Sequence, residues 1–405
     1  MAHTASTDMA DRPASPPLVD RAGKVLVLAG TDRETVAHCR VLIDALRELG
    51  RETVVVADRQ GLGNGLHAPD VGLIDLDCTT AWRNPLTKGS EAWQLARALE
   101  AERPDAMHVI GLEPAALACL ALQLVPSVDT VVHLPDLAAL EPESGALAWP
   151  YRGVAVRLLA ALARKPDAFL LVGREEDLGD LRAQGIDPGP RCAVLGSAGV
   201  DPEVYPVLPP SPGDMPVAAF VGPVAEASGL RELVQAFERL WARGLRLQLE
   251  IHGAPDGAPD PAGPPDALAA EWGRWSLHPG IRCAGWPADT REVWRRAEIC
   301  VWPVAGRQCL PRALIEAAAC GRALLVTDTA GGRSFVRSEM EGLVVPPGDA
   351  AALGAALERL ARDAGLRQRM GTAARLRVLH GFTEAHTKEV LRGAYLSLPG
   401  GSKAQ

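Results

Sequence analysis

The chain has 405 residues and a formal net charge of −8, a length that fits two domains of ordinary size. Hydrophobic residues make up 47% of the chain and the mean hydropathy is +0.04, values typical of a soluble globular protein. The negative charge argues against a nucleic-acid-binding surface. No uninterrupted apolar run reaches the ~20 residues that a membrane-spanning helix needs.

The eight cysteines are scattered and none lies in a C-x-x-C pair, which argues against a zinc site and predicts reduced thiols in a cytoplasmic protein. The aspartates and glutamates show no metal-ligand spacing, so no metal requirement is predicted. Residues 1–22 are polar, contain prolines and lack an apolar signal core, so we expect a disordered leader. Residues 399–405 are expected to form a flexible tail.

The first predicted domain, residues 23–205, alternates strands with helices. KVLVLAG, from Lys24 to Gly30, is a buried-strand run, and a helical pattern follows that ends at Gly50. ETVVVAD is the next strand, and this spacing predicts a β-α-β unit within a parallel sheet. Three further helix–strand pairs follow before RCAVLGSAGVDPEVYP closes the domain.

A proline-rich stretch, residues 206–216, predicts a linker. The second domain, residues 217–380, restarts with the strand VAAFVG and repeats the alternation through ICVWPV, ALLVTD and GLVVPPGD. The tail is predicted to be helical from Ala350 to about Leu398. Its last part, residues 381–398, is expected to form a helix that crosses back to the first domain.

The most informative segment covers residues 301–328, VWPVAGRQCLPRALIEAAACGRALLVTD. A strand ends at Trp302-Pro303 and a short helix follows, with Pro311 predicted in its first turn because a missing N–H costs nothing there. The helix N-terminus then lies at the carboxyl end of a parallel strand, where open α/β sheets bind ligands and where a phosphate is stabilised. Glu316, a little over one turn inside, could accept hydrogen bonds from sugar hydroxyls.

This segment resembles the nucleotide-sugar site of the family-4 retaining glycosyltransferases. Their motif is Glu, seven residues, Glu; here Gln308 stands at the first glutamate and Glu316 at the second, with Leu310 and Pro311 between them. The stretch PRALIEAAACGR, preceded by Arg307, is similar to a bacterial subgroup that builds surface glycans on lipid-diphosphate carriers. The resemblance covers nearly the whole chain after the leader.

The resemblance implies a GT-B fold, in which two Rossmann-like doubly wound α/β domains face a central cleft. It implies a cytoplasmic enzyme of polysaccharide biosynthesis, at most peripheral at the inner face of the membrane. Such an enzyme moves a hexosyl or N-acetylhexosaminyl group from a UDP-linked sugar to a glycan or lipid-diphosphate-sugar acceptor with retention of configuration. No metal or other cofactor is implied.

In the second domain the resemblance implies a donor site. Glu316 would hold the ribose hydroxyls, Gln308 would face the donor sugar as a catalytic residue, and Gly285 would approach the base. The loop from Gly222 and the helix N-terminus would cradle the diphosphate. The implied donor-binding residues are Gly222, Ser228, Gly285, Arg307, Leu310, Pro311, Arg312 and Glu316.

The first loop of this domain departs from the family pattern. The family has G-R-x-x-x-E-K-G, whereas here Pro223 replaces the arginine and Ser228 replaces the lysine. Those cations stabilise the charge that develops on the leaving diphosphate, and losing one such group typically costs ~10²–10³ in rate. Arg307 is the candidate replacement, with a solvated loop arginine as the alternative interpretation.

In the first domain the implied site residues are His133, His38 and Arg40. His133 ends the strand TVVH at the carboxyl edge and is expected to face the cleft as a catalytic group, with a structural hydrogen bond as the alternative. His38 and Arg40 stand at the start of the first helix, which suits an acceptor phosphate, or they belong to an ordinary helix face. The basic helical pattern over residues 152–165 fits either a membrane contact or, as we prefer, an internal helix.

Two other functions stay open at this point. Pro223, Ser228, Gln308 and Ser334, the last where the family often has glutamate, suggest a catalytically impaired GT-B-like protein that serves as a binding or scaffold partner in glycan biosynthesis. A sugar-nucleotide epimerase of the same fold is a third interpretation.

Overall fold

The computed structural model describes residues 23–30, 33–58, 71–76, 85–137, 149–211, 213, 215–253, 267–306 and 310–399. The predicted leader lies outside the described residues, as does the predicted tail apart from its first residue. Arg307 and Gln308, two of the implied site residues, also lie outside them.

A parallel sheet forms the centre of the first half. Its strands within the described residues are β1 (Lys24–Ala29), β2 (Glu52–Ala57), β3 (Gly72–Asp75), β4 (Ala106–Ile110), β5 (Asp129–Leu134), β6 (Ala168–Val172) and β7 (Cys192–Val194). They lie in the order β3-β2-β1-β4-β5-β6-β7, and every pairing is parallel. The inner strands are mainly apolar because helices cover both faces of the sheet.

Strand β3 is an addition to the predicted elements. It lies at the edge of the sheet, where three of its four residues are exposed. An exposed edge strand does not need the apolar run that marks the buried strands, so the sequence pattern gives little sign of it.

Helices pack on both faces of this sheet. They are α1 (Arg33–Glu48), α2 (Pro85–Glu102), α3 (Leu112–Ala121), α4 (Trp149–Ala163) and α5 (Glu175–Ala183). On one face, Leu42 and Leu46 of α1 are buried against Val25 and Val27 of β1. In α4, Leu159 and Leu162 are fully buried while the opposite side is exposed, as in an internal helix.

The second half repeats this architecture with a second parallel sheet. Its strands, within the described part of the chain, are β8 (Val217–Val221), β9 (Gln248–His252), β10 (Ile281–Ala284), β11 (Ile299–Trp302), β12 (Ala323–Thr327) and β13 (Gly342–Val345). They lie in the order β10-β9-β8-β11-β12-β13. The helices that follow these strands are α6 (Leu230–Ala242), α7 (Ala267–Ser276), α8 (Thr290–Arg296), α9 (Arg312–Ala319), α10 (Ala330–Phe335), α11 (Ala350–Arg362), α12 (Ala364–Gly381) and α13 (Glu384–Leu396).

The C-terminal tail, predicted to be helical, consists of the three helices α11, α12 and α13. Asp363 caps α12 by accepting a hydrogen bond from the Leu366 N–H, and Thr383 caps α13 by accepting one from the His386 N–H. These side-chain oxygens accept hydrogen bonds from backbone N–H groups that a helix start leaves unpaired. One helix therefore ends and the next begins at each of these residues.

Helix α13 packs on the first sheet. Its Leu391, Ala394 and Tyr395 lie in the same buried cluster as Val27 of β1. Among the described helices, none combines the length and the apolar character needed to cross a lipid bilayer.

Candidate functional site

The second sheet has its topological switch point between β8 and β11. The chain leaves β8 towards β9 on one side and leaves β11 towards β12 on the other. The loops at the carboxyl ends of two such strands diverge and leave a crevice, which is where ligands bind in open α/β sheets. The site that the sequence predicts is therefore located at these two strand ends.

Gly222, the residue after β8, is held in a tight aromatic setting. The rings of Phe220 and Trp302 are stacked with centroids 5.4 Å apart. A methyl group on Gly222 would lie 2.8 Å from an atom of each ring. Packing therefore requires glycine here, whatever the loop binds, and its role towards a phosphate remains a prediction.

The loop after β8 ends in a short 3-10 turn, Glu226–Ser228. The Ser228 hydroxyl donates a hydrogen bond to the Ala225 carbonyl at 2.6 Å, and the residue is 3% exposed. The hydroxyl is thus directed back onto its own loop. Arg231, the nearest cation along the chain, pairs with Glu226 and Glu271.

The start of α9 differs from the prediction by one residue. Pro311 has an extended backbone, with φ −72° and ψ 139°, and it is the N-cap rather than part of the first turn. Its carbonyl already accepts a hydrogen bond from the Leu314 N–H at 3.1 Å, as an N-cap carbonyl does. Leu310 is 7% exposed and its side chain belongs to the core, so only its backbone could face a ligand.

Glu316 is a buried carboxylate, 5% exposed, on the second turn of α9. Its Oε1 accepts a hydrogen bond from the Tyr205 hydroxyl at 2.9 Å and another from Arg312 Nε at 3.0 Å. Burial and the neighbouring carboxylate raise the pKa of Tyr205 to about 12, so this phenol remains a neutral donor at neutral pH. Glu316 is therefore not an ordinary exposed carboxylate on the surface of a helix.

Arg312 is committed to protein partners. Besides Glu316, its guanidinium donates to the Gly199 carbonyl at 2.9 Å and to Glu384 Oε1 at 3.3 Å. Its charge is paired with two carboxylates, those of Glu316 and Glu384, and its contact with the donor stays a prediction.

Gly285 follows the edge strand β10. A methyl group placed on it would meet no atom of the described residues within 4 Å. Packing does not require glycine there, and its approach to a base stays a prediction.

The three histidines of the first half form a buried cluster that the sequence did not reveal as a whole. The His133 ring makes edge contacts with those of His38 and His108, with centroids 4.6 and 5.8 Å apart. His108 Nδ1 lies 3.0 Å from the hydroxyl of Tyr395 in α13. His108 and His133 alternate with apolar residues along β4 and β5, so they point to the face that α1 and α13 cover.

Burial controls the charge of this cluster. It lowers the pKa of His108 to about 3, helped by the nearby His38. Burial likewise lowers the pKa of His133 well below its usual value, and the two neighbouring histidines add to the effect. Both rings are neutral at pH 7. Within the described residues, Nε2 of His108 and Nε2 of His133 are buried without a hydrogen-bond partner.

The predicted site residues of the first half differ in exposure. His133, which was predicted to face the cleft as a catalytic group, is 2% exposed, and that role stays a prediction. Helix α1 begins at Arg33, which places His38 and Arg40 in its second turn rather than at its start. His38 is buried and Arg40 is exposed, since residues two apart point to different sides of a helix.

Two residues of the site were missed at the sequence level. Tyr205 belongs to the loop that closes the first half, 111 residues before its partner Glu316. Arg375 of α12 donates to the carbonyls of Tyr205 and Ala319, at 2.6 and 2.7 Å, and so ties that loop to the end of α9. Such long-range contacts leave no local pattern. The described residues contain no group of three or more His, Cys, Asp or Glu side chains that could hold a metal ion.

Comparison with known protein families gives one match for each half. Residues 35–196 match the family described as "Glycosyl transferase 4-like domain", and residues 215–363 match "Glycosyl transferases group 1". The two matches lie on separate halves of the chain, and together with the two parallel-sheet halves they indicate a fold of the GT-B glycosyltransferase type.

Curated relatives match parts of the chain. The lipopolysaccharide core biosynthesis glycosyltransferase LpsE of Rhizobium meliloti is 28% identical over 188 residues, which are 46% of this chain and 51% of LpsE. The D-inositol 3-phosphate glycosyltransferase of Nocardia farcinica is 32% identical over 240 residues, 56% of this chain and 49% of that protein. The aligned part thus spans about half the length of each relative.

Solved structures confirm the GT-B fold. Anabaena HepE, crystallised with UDP and glucose, superimposes with a TM-score of 0.75 at 15% identity, covering 93% of this chain and all of HepE (100%). The sucrose-phosphate synthase of Thermosynechococcus elongatus superimposes with a TM-score of 0.73 at 19% identity, covering 92% and 98%.

Proposed function

We propose that this protein transfers a sugar from a UDP-linked donor to a glycan or lipid-linked acceptor with retention of configuration, as a family-4 glycosyltransferase. The observation that carries the proposal is the buried carboxylate of Glu316. It is oriented by two donors beside the switch point of the second sheet, at 2.9 and 3.0 Å. Both hydrogen bonds found for it among the described residues end on Oε1, so Oε2 is available to accept from ribose hydroxyls.

The diphosphate of the donor would lie against the N-terminus of α9. Backbone N–H groups there have no helical partner, and the helix dipole favours negative charge. The loop from Gly222 would close the other side. Neither Pro223 nor Ser228 carries a charge, so Arg307 is our candidate for the cation at the leaving group. Gln308 would face the donor sugar, and no metal would be required.

The acceptor would enter from the first half, near His133 and His38. Relatives named for lipopolysaccharide core and capsular polysaccharide biosynthesis support a surface glycan as the acceptor. The lipid-diphosphate carrier rests on the resemblance of the segment around Arg307 alone. We propose a cytoplasmic enzyme with peripheral contact to the inner face of the membrane. HepE structures that contain UDP and UDP-glucose support a UDP-linked hexose or N-acetylhexosamine as the donor.

A non-catalytic scaffold is the weaker alternative. It rests on the missing cations at Pro223 and Ser228 and on Gln308. LpsE and the D-inositol 3-phosphate glycosyltransferase are named as glycosyltransferases, and the superimposed sucrose-phosphate synthase is also named as an enzyme, which favours an enzyme.

A donor screen with a matched pair of variants tests the proposal. The wild type is incubated with UDP-, GDP- and ADP-linked hexoses and a lipid-diphosphate-sugar acceptor, and product is followed by mass spectrometry. Glu316→Ala should abolish turnover. The control is Glu298→Ala, which removes a carboxylate at the amino end of β11 that pairs with Arg367 at 2.6 Å and whose side chain is 11% exposed, against 6% for that of Glu316.

The control should keep its rate within about twofold, since it lies at the far end of the strand from the crevice. Full activity in Glu316→Ala would sink the site assignment. A wild type that binds none of these nucleotides in calorimetry at millimolar concentration would favour the scaffold instead.

A further inference from the structure

The chain passes between its two halves at two places, and these crossings lie side by side. The Val200 N–H donates to the Phe382 carbonyl at 3.1 Å, and the Glu384 N–H donates to the Val200 carbonyl at 3.0 Å. The Thr387 hydroxyl adds a bond to the Ser197 carbonyl at 3.1 Å. The two segments therefore form one junction, which we define as residues 197–201 with residues 382–387.

The junction is closely packed at Gly199. This glycine has φ +72°, a conformation that other residues seldom adopt. A methyl group on it would lie 2.6 Å from the Thr383 carbonyl carbon. The two crossings thus have no room to slide past one another without breaking these contacts.

Arg312 contacts both crossings and the candidate donor carboxylate at once. Nη1 binds the Gly199 carbonyl at 2.9 Å, Nη2 binds Glu384 at 3.3 Å and Nε binds Glu316 at 3.0 Å. The side chain is 22% exposed, which limits screening by water. A guanidinium is planar and keeps its charge. The three hydrogen bonds of Arg312 therefore cannot change direction independently of one another.

We infer that Arg312 is a positioning residue that couples nucleotide binding at Glu316 to the junction between the two halves. The inference rests on the proposed function, because it takes Glu316 to be the ribose-binding group. A ligand that hydrogen-bonds to Glu316 changes the hydrogen bond between Glu316 and Arg312 Nε. Because the guanidinium of Arg312 is rigid, its hydrogen bonds to Gly199 and Glu384 change as well. Nucleotide binding then changes the relative orientation of the two halves, and a change in that orientation alters nucleotide affinity by the same free energy.

The test compares two arginines with similar environments. Arg367 is 12% exposed and binds Glu298 and the carbonyls of Leu360 and Ala361, away from the junction. Arg312→Gln and Arg367→Gln should therefore lower the melting temperature to a similar extent. Only Arg312→Gln should weaken nucleotide binding in calorimetry, by about 10-fold, a typical coupling between contacting groups.

Small-angle scattering gives the second measurement. We expect the radius of gyration of the wild type and of Arg367→Gln to change when UDP saturates them, and that of Arg312→Gln to stay constant. Glu384→Gln, which removes only the junction end of the network, should weaken the scattering response while it affects UDP affinity less than Arg312→Gln does. Arg312→Lys should fail to restore either property, because an ammonium cannot replace the planar fork.

The outcomes separate this inference from the proposed function. A wild type that binds none of UDP, GDP and ADP overturns both. A wild type that binds one of them, beside an Arg312→Gln of equal affinity, overturns the inference alone. The inference alone is also overturned if UDP does not change the radius of gyration of the wild type, or if UDP still changes that of Arg312→Gln. If Arg312→Gln does not fold, Glu384→Gln and Arg312→Lys decide by the same measurements.

Discussion

Gly229 lies directly against the carbonyl of Pro303, so that a methyl group on its Cα would come within 1.9 Å of that oxygen. The Ala305 N–H also donates to the Ala227 carbonyl at 3.0 Å. These contacts hold the loop after β8 on the end of β11. The floor of the proposed donor site is thus formed by backbone packing at the switch point.

Replacement of Gly229 tests this packing. Gly229→Ala puts a β-carbon into the Pro303 carbonyl and into a backbone with φ +68°. The control Gly244→Ala meets no described atom within 4 Å at φ +81°, and should cost only the left-handed penalty of about 1 kcal/mol. Gly229→Ala should cost about 2 kcal/mol more, because the loop must shift. Urea unfolding measures both, and equal losses would contradict the packing argument.

A cation restored to the loop after β8 should raise the rate. In Ser228→Lys, an ammonium could reach the leaving diphosphate and stabilise its developing charge, and we expect kcat to rise about 10-fold. Because Ser228 is 3% exposed and binds the Ala225 carbonyl, the melting temperature should fall. Ser276→Lys, at an exposed serine that binds the Trp272 carbonyl, is the control for added charge. An unchanged rate in Ser228→Lys, with folding intact, would point towards the scaffold alternative.

The histidine cluster should make the protein less stable in mild acid. The pKa of His108 is lowered to about 3 in the folded state, whereas it is about 6.5 in the unfolded chain. The free energy of unfolding is therefore unaffected by protonation of this histidine above pH 6.5 and decreases as the pH falls towards 3. In that range His108 binds a proton in the unfolded chain but not in the folded protein. The loss is up to about 1.4 kcal/mol per pH unit for each such histidine.

Denaturant titrations between pH 7.5 and 5.5 measure this slope. His108→Gln, which can still hydrogen-bond to Tyr395, should reduce the slope by about one proton. A His108→Gln slope equal to that of the wild type would show that this ring is not held neutral by burial.

Local patterns predicted the buried strands well. The runs in β1, β2, β4, β5 and β6 are mainly apolar, with polar residues at the start of β1, β2 and β5 and a histidine in β4 and in β5, and a strand covered on both faces needs a mainly apolar composition. The exposed edge strand β3 is under no such demand and was missed. The breaks in the C-terminal helices depend on capping by Asp363 and Thr383, whose effect is only local and competes with a strong helical pattern.

The direction of polar side chains was predicted less well. His133 was expected to face the cleft from the carboxyl end of its strand, but period-two alternation in a strand buried on both sides does not say which helices cover each face. Likewise, Arg312 was listed among the implied donor-binding residues, and nothing in the sequence indicated its ion pairs with Glu316 and Glu384. Its partners Gly199 and Glu384 are 113 and 72 residues away along the chain.

The sequence by itself determined the two-half α/β organisation and the place of the donor motif. Strand burial and helix starts depend on short stretches of residues, so local patterns predict them. Only the tertiary structure decided what surrounds Glu316. Tyr205 and Arg312 meet it where the closing loop of the first half and α9 come together, and the three histidines meet Tyr395 only once α13 packs on the first sheet. Hydrogen bonds of this kind depend on chain crossings, and a crossing has no signature in the local order of residues.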